Sequence, residues 1–272
     1  MDTDVILRDV KRLDGAVNKK ILVYIPCYNC AGKVRQTFQE IPNELYGQFE
    51  CLIVDNHSTD NTKNIIEEII REKIYPFKIH FISTNKNLGY AGSQKLAYRF
   101  ALQHECISHV IMLHGDGQYP PILLNYIMPY TGQDYELVYG YRTKSKHSKE
   151  ETPWPRYITI KVLSWIESCL LGIKQKEWYS GFVMYRTDFL RKIPLEKLSS
   201  TMHIDGEFFM CAHILNAKTY AVPIYKRYKT FKKMNNLTGV SVIIRIFQLI
   251  YKYRRGYYRQ IIHEYSNQTP VP

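Results

Sequence analysis

The chain has 272 residues and carries 37 lysines and arginines against 25 aspartates and glutamates, a formal charge of +12. Hydrophobic content of 45% and charged content of 23% exclude a disordered or collagen-like polymer and leave a globular protein with a full core. A field of this sign attracts phosphates on nucleotides, nucleic acid or anionic lipid headgroups, and charge does not choose among them.

Residues 1–18 are charged and aperiodic, a lead-in without the apolar run of a signal peptide. No window reaches the ~18–20 apolar residues needed to cross a bilayer. The six cysteines lack the spacing of a disulfide framework, so they are expected to be reduced and the protein cytosolic. KILVYIPCYN then reads as a buried strand ending at Pro26. Cys27 and Cys30 form a CxxC, the pattern of a redox or half-zinc site. The chain has no second CxxC, so that chemistry is not expected.

Residues 33–40 suit a helix and 49–54 a second strand. The cluster Asp55-Asn56-His57-Ser58-Thr59-Asp60-Asn61-Thr62 follows, rich in turn and N-cap residues. Ile65, Ile66, Ile69 and Ile70 recur at helical spacing. Residues 78–82 read as a third strand and 89–103 as the next helix. HVIML (109–113) reads as a buried strand of a parallel sheet that stops at His114-Gly115-Asp116-Gly117-Gln118, and Pro120 and Pro121 suit a first helical turn. Such alternation argues for βαβ units, whose ligands bind at the carboxyl ends of the strands.

Three stretches carry candidate chemistry, each with a plainer reading beside it. Asp116, Gln118 and His114 offer oxygen and nitrogen donors for a divalent metal bridging phosphates, or form a solvated Asp-Gly turn. Asp55 either accepts hydrogen bonds from a base or ribose, or begins a turn. Asn87 to Gly92 either brings free amides close to a ligand or lets a helix pack.

Taken in order, PCYN, VDNHSTDNT, NKNLGYAGSQKLA and HGDGQYPP resemble the nucleotide-sugar half of family-2 glycosyltransferases with the GT-A fold. Farther on, PRYITIKVLSWIESCLLGIKQKEWYSGFVMYR and AVPI resemble the dolichol- or polyprenyl-phosphate mannose synthase branch. The resemblance covers about residues 20–225. It implies an α/β, Rossmann-like fold with a mixed, mostly parallel central sheet flanked by helices. It also implies that Pro26, Tyr28 and Asp55 hold the donor nucleoside, with Asn29, Asn87 and Gly89 beside them. Asp116 would match the second aspartate of the family's DxD motif and bind Mg²⁺ or Mn²⁺ on the diphosphate. Gln118 would face that metal, and Arg142 would match a basic residue near the phosphates. The chain departs from the pattern at His114, which stands at the first DxD aspartate and would ligate Mn²⁺ or hydrogen-bond ribose. It departs again at Cys30, Asn56 and Ala221.

In the second half, residues 143–151 are a charge-rich run, expected to be a mobile loop over the site or a solvated turn. Residues 156–171 are helical in pattern, with Lys161, Ser164 and Ser168 on a narrow polar stripe and a wide apolar surface opposite. With Trp154, Trp165 and Trp178 in or beside it, this helix suits either a membrane interface or a core. Asp205 and Glu207 lie near the start of a helix over 204–215, and ~200° of rotation between them keeps both from one site. A hydroxyl acceptor needs a base, for which Asp205 is the nearer candidate; a phosphate acceptor does not, and Glu207 matches the acidic position of the lipid-phosphate branch. Lys229, Lys232 and Lys233 either close over the donor diphosphate or are solvated. An apolar helix over 238–251, interrupted by Arg245, lies on an anionic membrane, packs on the domain or forms a dimer.

The expectation is a lead-in (1–19), one GT-A domain (20–235) and a basic amphipathic helical extension (236–272). It would be a metal-dependent inverting transferase moving a sugar from a UDP- or GDP-linked donor to a polyprenyl phosphate at the cytosolic membrane face. The alternatives are a sugar hydroxyl of a surface glycan as acceptor, or a catalytically weak sugar-nucleotide binding protein. Expected partners are an anionic membrane surface and a membrane protein or a second copy of the chain. No nucleic-acid motif is present.

Overall fold

A computed structural model describes residues 19–143, 152–228 and 236–268. The lead-in, most of the charged 143–151 loop, and Lys229, Lys232 and Lys233 lie outside the described residues. The described strands form one seven-stranded sheet in the order β3-β2-β1-β4-β6-β5-β7. Strands β1 (Lys20–Cys27), β2 (Phe49–Asp55), β3 (Ile79–Ser83) and β4 (Ile107–Met112) are parallel. All seven residues of β2 are buried, which is why FECLIVD is nearly continuous in apolar character.

Strand β5 (Leu137–Arg142) pairs with β7 (Thr219–Ile224) in parallel, while the short β6 (Val183–Arg186) runs antiparallel between β4 and β5. The carboxyl ends of β1, β2, β4, β5 and β7 therefore share one edge of the sheet.

Alternation along the strands sends side chains to opposite faces. Leu22, Tyr24, Leu52 and Val54 join one core, covered by α3 (Gly89–Leu102), α6 (Thr187–Arg191) and α7 (Ile204–Ile214). Val23, Ile25, Cys51 and Ile53 join the other, covered by α1 (Val34–Gln39), α2 (Thr62–Glu72) and α4 (Leu124–Ile127). Helix α5 (Trp154–Leu171) follows β5. Helix α8 (Asn236–Arg254) packs on α5, and α9 (Tyr257–Gln268) packs on α7. Ile246, Leu249 and Ile250 of α8, with Tyr258, Ile261 and Ile262 of α9, belong to the first core. Gly256, at φ +77°, makes the turn between these two helices.

The three tryptophans divide: Trp178 is fully buried, whereas Trp154 and Trp165 are 54% and 67% exposed. No helix among the described residues is long and apolar enough to cross a membrane. Cys27 and Cys30 are free and buried. A hydrogen bond with Cys30, together with burial, pushes the Cys27 thiol well up, away from the thiolate that redox chemistry requires.

Candidate active site

At the carboxyl edge of β1, β2 and β4 lies a cavity of about 290 Å³. The structure brings Pro26, Tyr28, Asn87, Gly89, His114 and Asp116 onto its wall, together with Asn56, Tyr90 and Ser93. Asn56 shapes one side. Its carboxamide oxygen accepts from Leu88 N at 2.8 Å, and its nitrogen donates to Asn87 Oδ1 at 3.1 Å and to the Gly89 carbonyl at 3.2 Å. That clamp fixes the turn into α3, where Gly89 sits at φ +70°. A neutral Asn can both donate and accept here, which an aspartate in its place could not.

Asn29 and Asp55 are close by but do not line the cavity. Asn29 adopts φ +49° and braces two loops, its Oδ1 accepting from Thr59 N at 2.8 Å. Asp55 is buried and turned into its own loop, accepting from Ser58 N at 3.3 Å and Ser83 Oγ at 3.3 Å. These are the contacts of a turn-former.

Asp116 occupies the tight turn after β4. Its Oδ1 accepts from Gln118 N at 3.0 Å, and Gln118 itself is exposed. Gly115 is required here by close approach, since a Cβ would lie 2.5 Å from Cys27 Sγ. The His114 ring packs between Tyr90 and Tyr119, at centroid distances of 6.1 and 5.2 Å. Its Nε2 abuts Gly181, where a Cβ would lie at 2.6 Å, so this nitrogen faces protein. Burial drives the imidazole pKa down to about 4, against the pull of Asp116, and the ring is neutral at pH 7.

Asp116 is therefore the sole carboxylate among the described residues of the wall. One carboxylate completed by substrate phosphates and water is a normal donor set for Mg²⁺. No group of three His, Cys, Asp or Glu among the described residues could hold a cation by itself. The residues present thus fit a metal that arrives with a diphosphate.

Beside this turn is a cluster of cations at Lys226, Arg142 and Arg156; Lys229, Lys232 and Lys233, expected to close over the diphosphate or to be solvated, lie outside the described residues. Lys226 lies over the Tyr119 ring at 4.6 Å and 5.9 Å from the Tyr228 centroid, and Arg156 lies over the same Tyr228 ring at 5.2 Å. Arg142 donates from Nη1 to Tyr228 Oη at 2.9 Å. The chain closes this arrangement with Arg227 N donating to the Gln118 carbonyl at 2.8 Å. Desolvation, with Arg142 nearby, pulls the Lys226 ammonium down to about 8, while Asp116 acts the other way.

Arg142 does not line the cavity. It is buried, its Nε donates to Glu177 Oε1 at 2.7 Å, and its Nη2 pairs with the same oxygen. Its backbone N donates to Glu177 Oε2 at 2.8 Å. Arg142 thus orients Tyr228, its own charge being met by Glu177. The signal for Lys226 and Tyr228 was present in YKRYK, but basic and aromatic residues there read equally well as solvated.

Asp205 and Glu207 diverge, as two residues on a begun helix must. Asp205 turns toward α3, accepting from Tyr90 Oη at 2.9 Å and Gln94 Nε2 at 3.0 Å. Burial raises its carboxyl to about 7 against those two hydrogen bonds. Glu207 turns away, accepting from Ser199 N at 2.7 Å and Tyr258 Oη at 2.8 Å, and burial raises it too. Neither carboxylate lines the cavity; Asp205 is one side chain behind it.

The model of Glycosyl transferase family 2 matches residues 22–198. Among curated proteins, the polyprenol monophosphomannose synthase of Mycolicibacterium smegmatis is 23% identical over 185 residues, 67% of each chain. The UDP-N-acetylglucosamine–dolichyl-phosphate N-acetylglucosaminyltransferase of Methanococcus voltae is 23% identical over 249 residues, 85% of this chain and 96% of the relative. Among solved structures, glucosyl-3-phosphoglycerate synthase from Mycobacterium tuberculosis, in complex with Mn²⁺, UDP and phosphoglyceric acid, superposes with a TM-score of 0.59. That match has 13% identity and covers 88% of this chain and 79% of that one, a likeness of fold.

Proposed function

The chain belongs to glycosyl transferase family 2, and on that premise we propose that it transfers a sugar from a UDP- or GDP-linked donor to a polyprenyl phosphate at the cytosolic membrane surface. The observation that carries the acceptor class is the pairing of one wall carboxylate with a cation cluster. Asp116 lines the cavity, while Lys226, Arg142 and Arg156 gather around Tyr228 beside it. A phosphate acceptor is already ionised and needs positive charge to seat it, not a base to deprotonate it. The two relatives named for lipid-phosphate acceptors support the same reading.

In this mechanism Pro26, Tyr28, Asn87 and Gly89 hold the nucleoside in the cavity. A divalent cation, when bound, neutralises the diphosphate, and Asp116 is the side chain that would hold it. The acceptor phosphate oxygen forms a bond to the anomeric carbon as the bond to the diphosphate oxygen breaks. The electron pair leaves with the nucleoside diphosphate, and configuration inverts. Lys226 stabilises the charge that develops there, and Arg142 holds Tyr228 in place beside it.

Transfer to a glycan hydroxyl is the second reading. It rests on Asp205, whose carboxyl at about 7 is tuned like a general base although it sits behind Tyr90. A screen of UDP- and GDP-sugars against polyprenyl phosphate and oligosaccharides separates the two. Sugar transfer to oligosaccharide alone overturns the lipid-phosphate reading.

A further inference from the structure

Strand β7 ends the sheet, so one side of its backbone pairs with no other strand among the described residues. Leu137 N donates to the Lys218 carbonyl at 3.3 Å and Thr143 N to the Ile224 carbonyl at 3.0 Å, which fixes the alternation between them. Tyr220, Val222 and Ile224 turn their backbone groups to β5, whereas Thr219, Ala221 and Pro223 turn theirs outward. The outward row offers the N–H groups of Thr219 and Ala221 and the carbonyls of all three residues. Pro223 has no N–H and ends donation toward the carboxyl end. The Tyr220 ring packs on Tyr130 and Tyr135, at centroid distances of 4.7 and 5.1 Å, and holds the strand in place.

Along this edge runs an open groove of about 660 Å³, with Thr219, Tyr220 and Ala221 on one side and α5 on the other. Lys161, Lys174 and Lys176 bound it, and no carboxylate does among the described residues. Lys161 and Lys176 are both held over the Tyr141 ring, at 5.2 and 4.3 Å. Trp165 adds an exposed apolar wall. Lys218, at the start of β7, is instead paired with Asp134. The three groove lysines thus lie across from the strand, not on it, where a charge would guard the edge against pairing.

Two kinds of complementarity define the occupant. A row of alternating backbone donors and acceptors is met by another extended backbone, which neither a lipid headgroup nor a nucleic acid supplies. Lysines without carboxylates are met by acidic side chains on the face of that backbone turned to α5.

We propose that the groove binds an extended, acidic segment of a partner protein, which adds to the sheet as a strand beside β7. The groove shares no residue with the cavity at the ends of β1, β2 and β4, so the partner leaves that cavity open.

Fluorescence anisotropy with a labelled peptide of alternating valine and glutamate tests this on the full chain, without donor or acceptor. The wild type should bind the peptide, and more weakly as salt is raised. The same peptide with every backbone N–H methylated keeps its charges but loses its donors, and should bind more weakly by about tenfold or more. Ala221→Pro removes one outward N–H at an edge position that tolerates proline. It should weaken binding about tenfold with the melting temperature unchanged. Lys174→Glu with Lys176→Glu should abolish binding of the glutamate peptide and admit a valine–lysine peptide in its place. The proposal is overturned if the glutamate peptide does not bind the wild type. Equal binding by the methylated peptide also overturns it, since the groove is then a general anion surface. So does a wild-type dimer that Ala221→Pro converts to monomer, the edge then belonging to a second copy.

Discussion

Tyr90 donates its hydroxyl proton to Asp205 across 2.9 Å, so the wall of the cavity at the ends of β1, β2 and β4 is pinned to the first turn of α7. Gln94, one turn farther along α3, donates to the other oxygen at 3.0 Å. The carboxyl therefore has two donors and no cation, in a fully buried position. That combination leaves burial dominant and holds the pKa up to about 7.

The first prediction follows from the sign of this shift. A carboxyl raised from 3.8 to about 7 favours the protonated folded state. Its stabilising contribution is complete below the unfolded pKa and is lost as pH rises through about 7. Asp205→Asn removes that loss, and the Gln94 Oε1, now buried without a partner, gains a donor if its amide turns over. The variant should be more stable than wild type above neutrality, by on the order of 2–4 kcal/mol, with a flatter melting profile between about pH 4 and about pH 7. Transfer to a phosphate acceptor should fall by no more than a few-fold. A drop of about a hundredfold or more would identify Asp205 as a base.

Asp116→Asn tests the metal. The side chain keeps its size and its acceptor for Gln118 N. Melting temperature should be unchanged, while turnover falls on the order of a hundredfold. The thermal shift produced by UDP with Mn²⁺ should shrink toward that of UDP alone. Full turnover with added Mg²⁺ or Mn²⁺ would show that Asp116 does not hold the ion.

Most of the sheet was legible because its strands announce themselves. FECLIVD and HVIM are apolar runs bounded by turn residues, and β1 to β4 lie within one or two residues of where patterning puts them. Strand β6 was not, since four residues of VMYR give no period to read, and their pairing to β4 and β5 is a long-range event. Helix α9 falls within the helical extension expected over 236–272, but its separation from α8 was not read, although Tyr258, Ile261 and Ile262 have helical spacing. That Pro26, Asn87, Gly89 and Asp116 would share the carboxyl edge of the sheet was readable because turn chemistry is local, and all four line the cavity there. Arg142 was placed in the right segment, but its ion pair with Glu177 spans 35 positions and leaves no local mark.

Glu177→Gln should expose the cost of that ion pair. Both side chains are buried, and Glu177 satisfies the guanidinium and the Arg142 backbone N together. Removing one partner leaves a buried cation without its counter-charge, which costs about 3–5 kcal/mol. Arg142 then has less to hold Tyr228 in place, so turnover should fall in the protein that remains folded. Urea denaturation measures the first effect. An unchanged midpoint would mean that solvent reaches the guanidinium freely.

Tyr258→Phe isolates the contact that ties α9 to α7. The ring is fully buried, and phenylalanine keeps its packing while losing the donor to Glu207 Oε1. A buried acceptor left without its donor costs about 1–3 kcal/mol. Burial already raises the Glu207 carboxyl, and the Tyr258 hydrogen bond opposes that rise. Without it the folded-state pKa climbs further, so the deficit must grow as pH rises and the carboxylate form is demanded. Below the ordinary glutamate range both states are protonated, and the charge-dependent part vanishes. Urea melts at mildly acidic and mildly alkaline pH should therefore show the larger loss on the alkaline side. Equal losses at both would mean that the Tyr258 hydroxyl stabilises the neutral and the charged form of Glu207 alike.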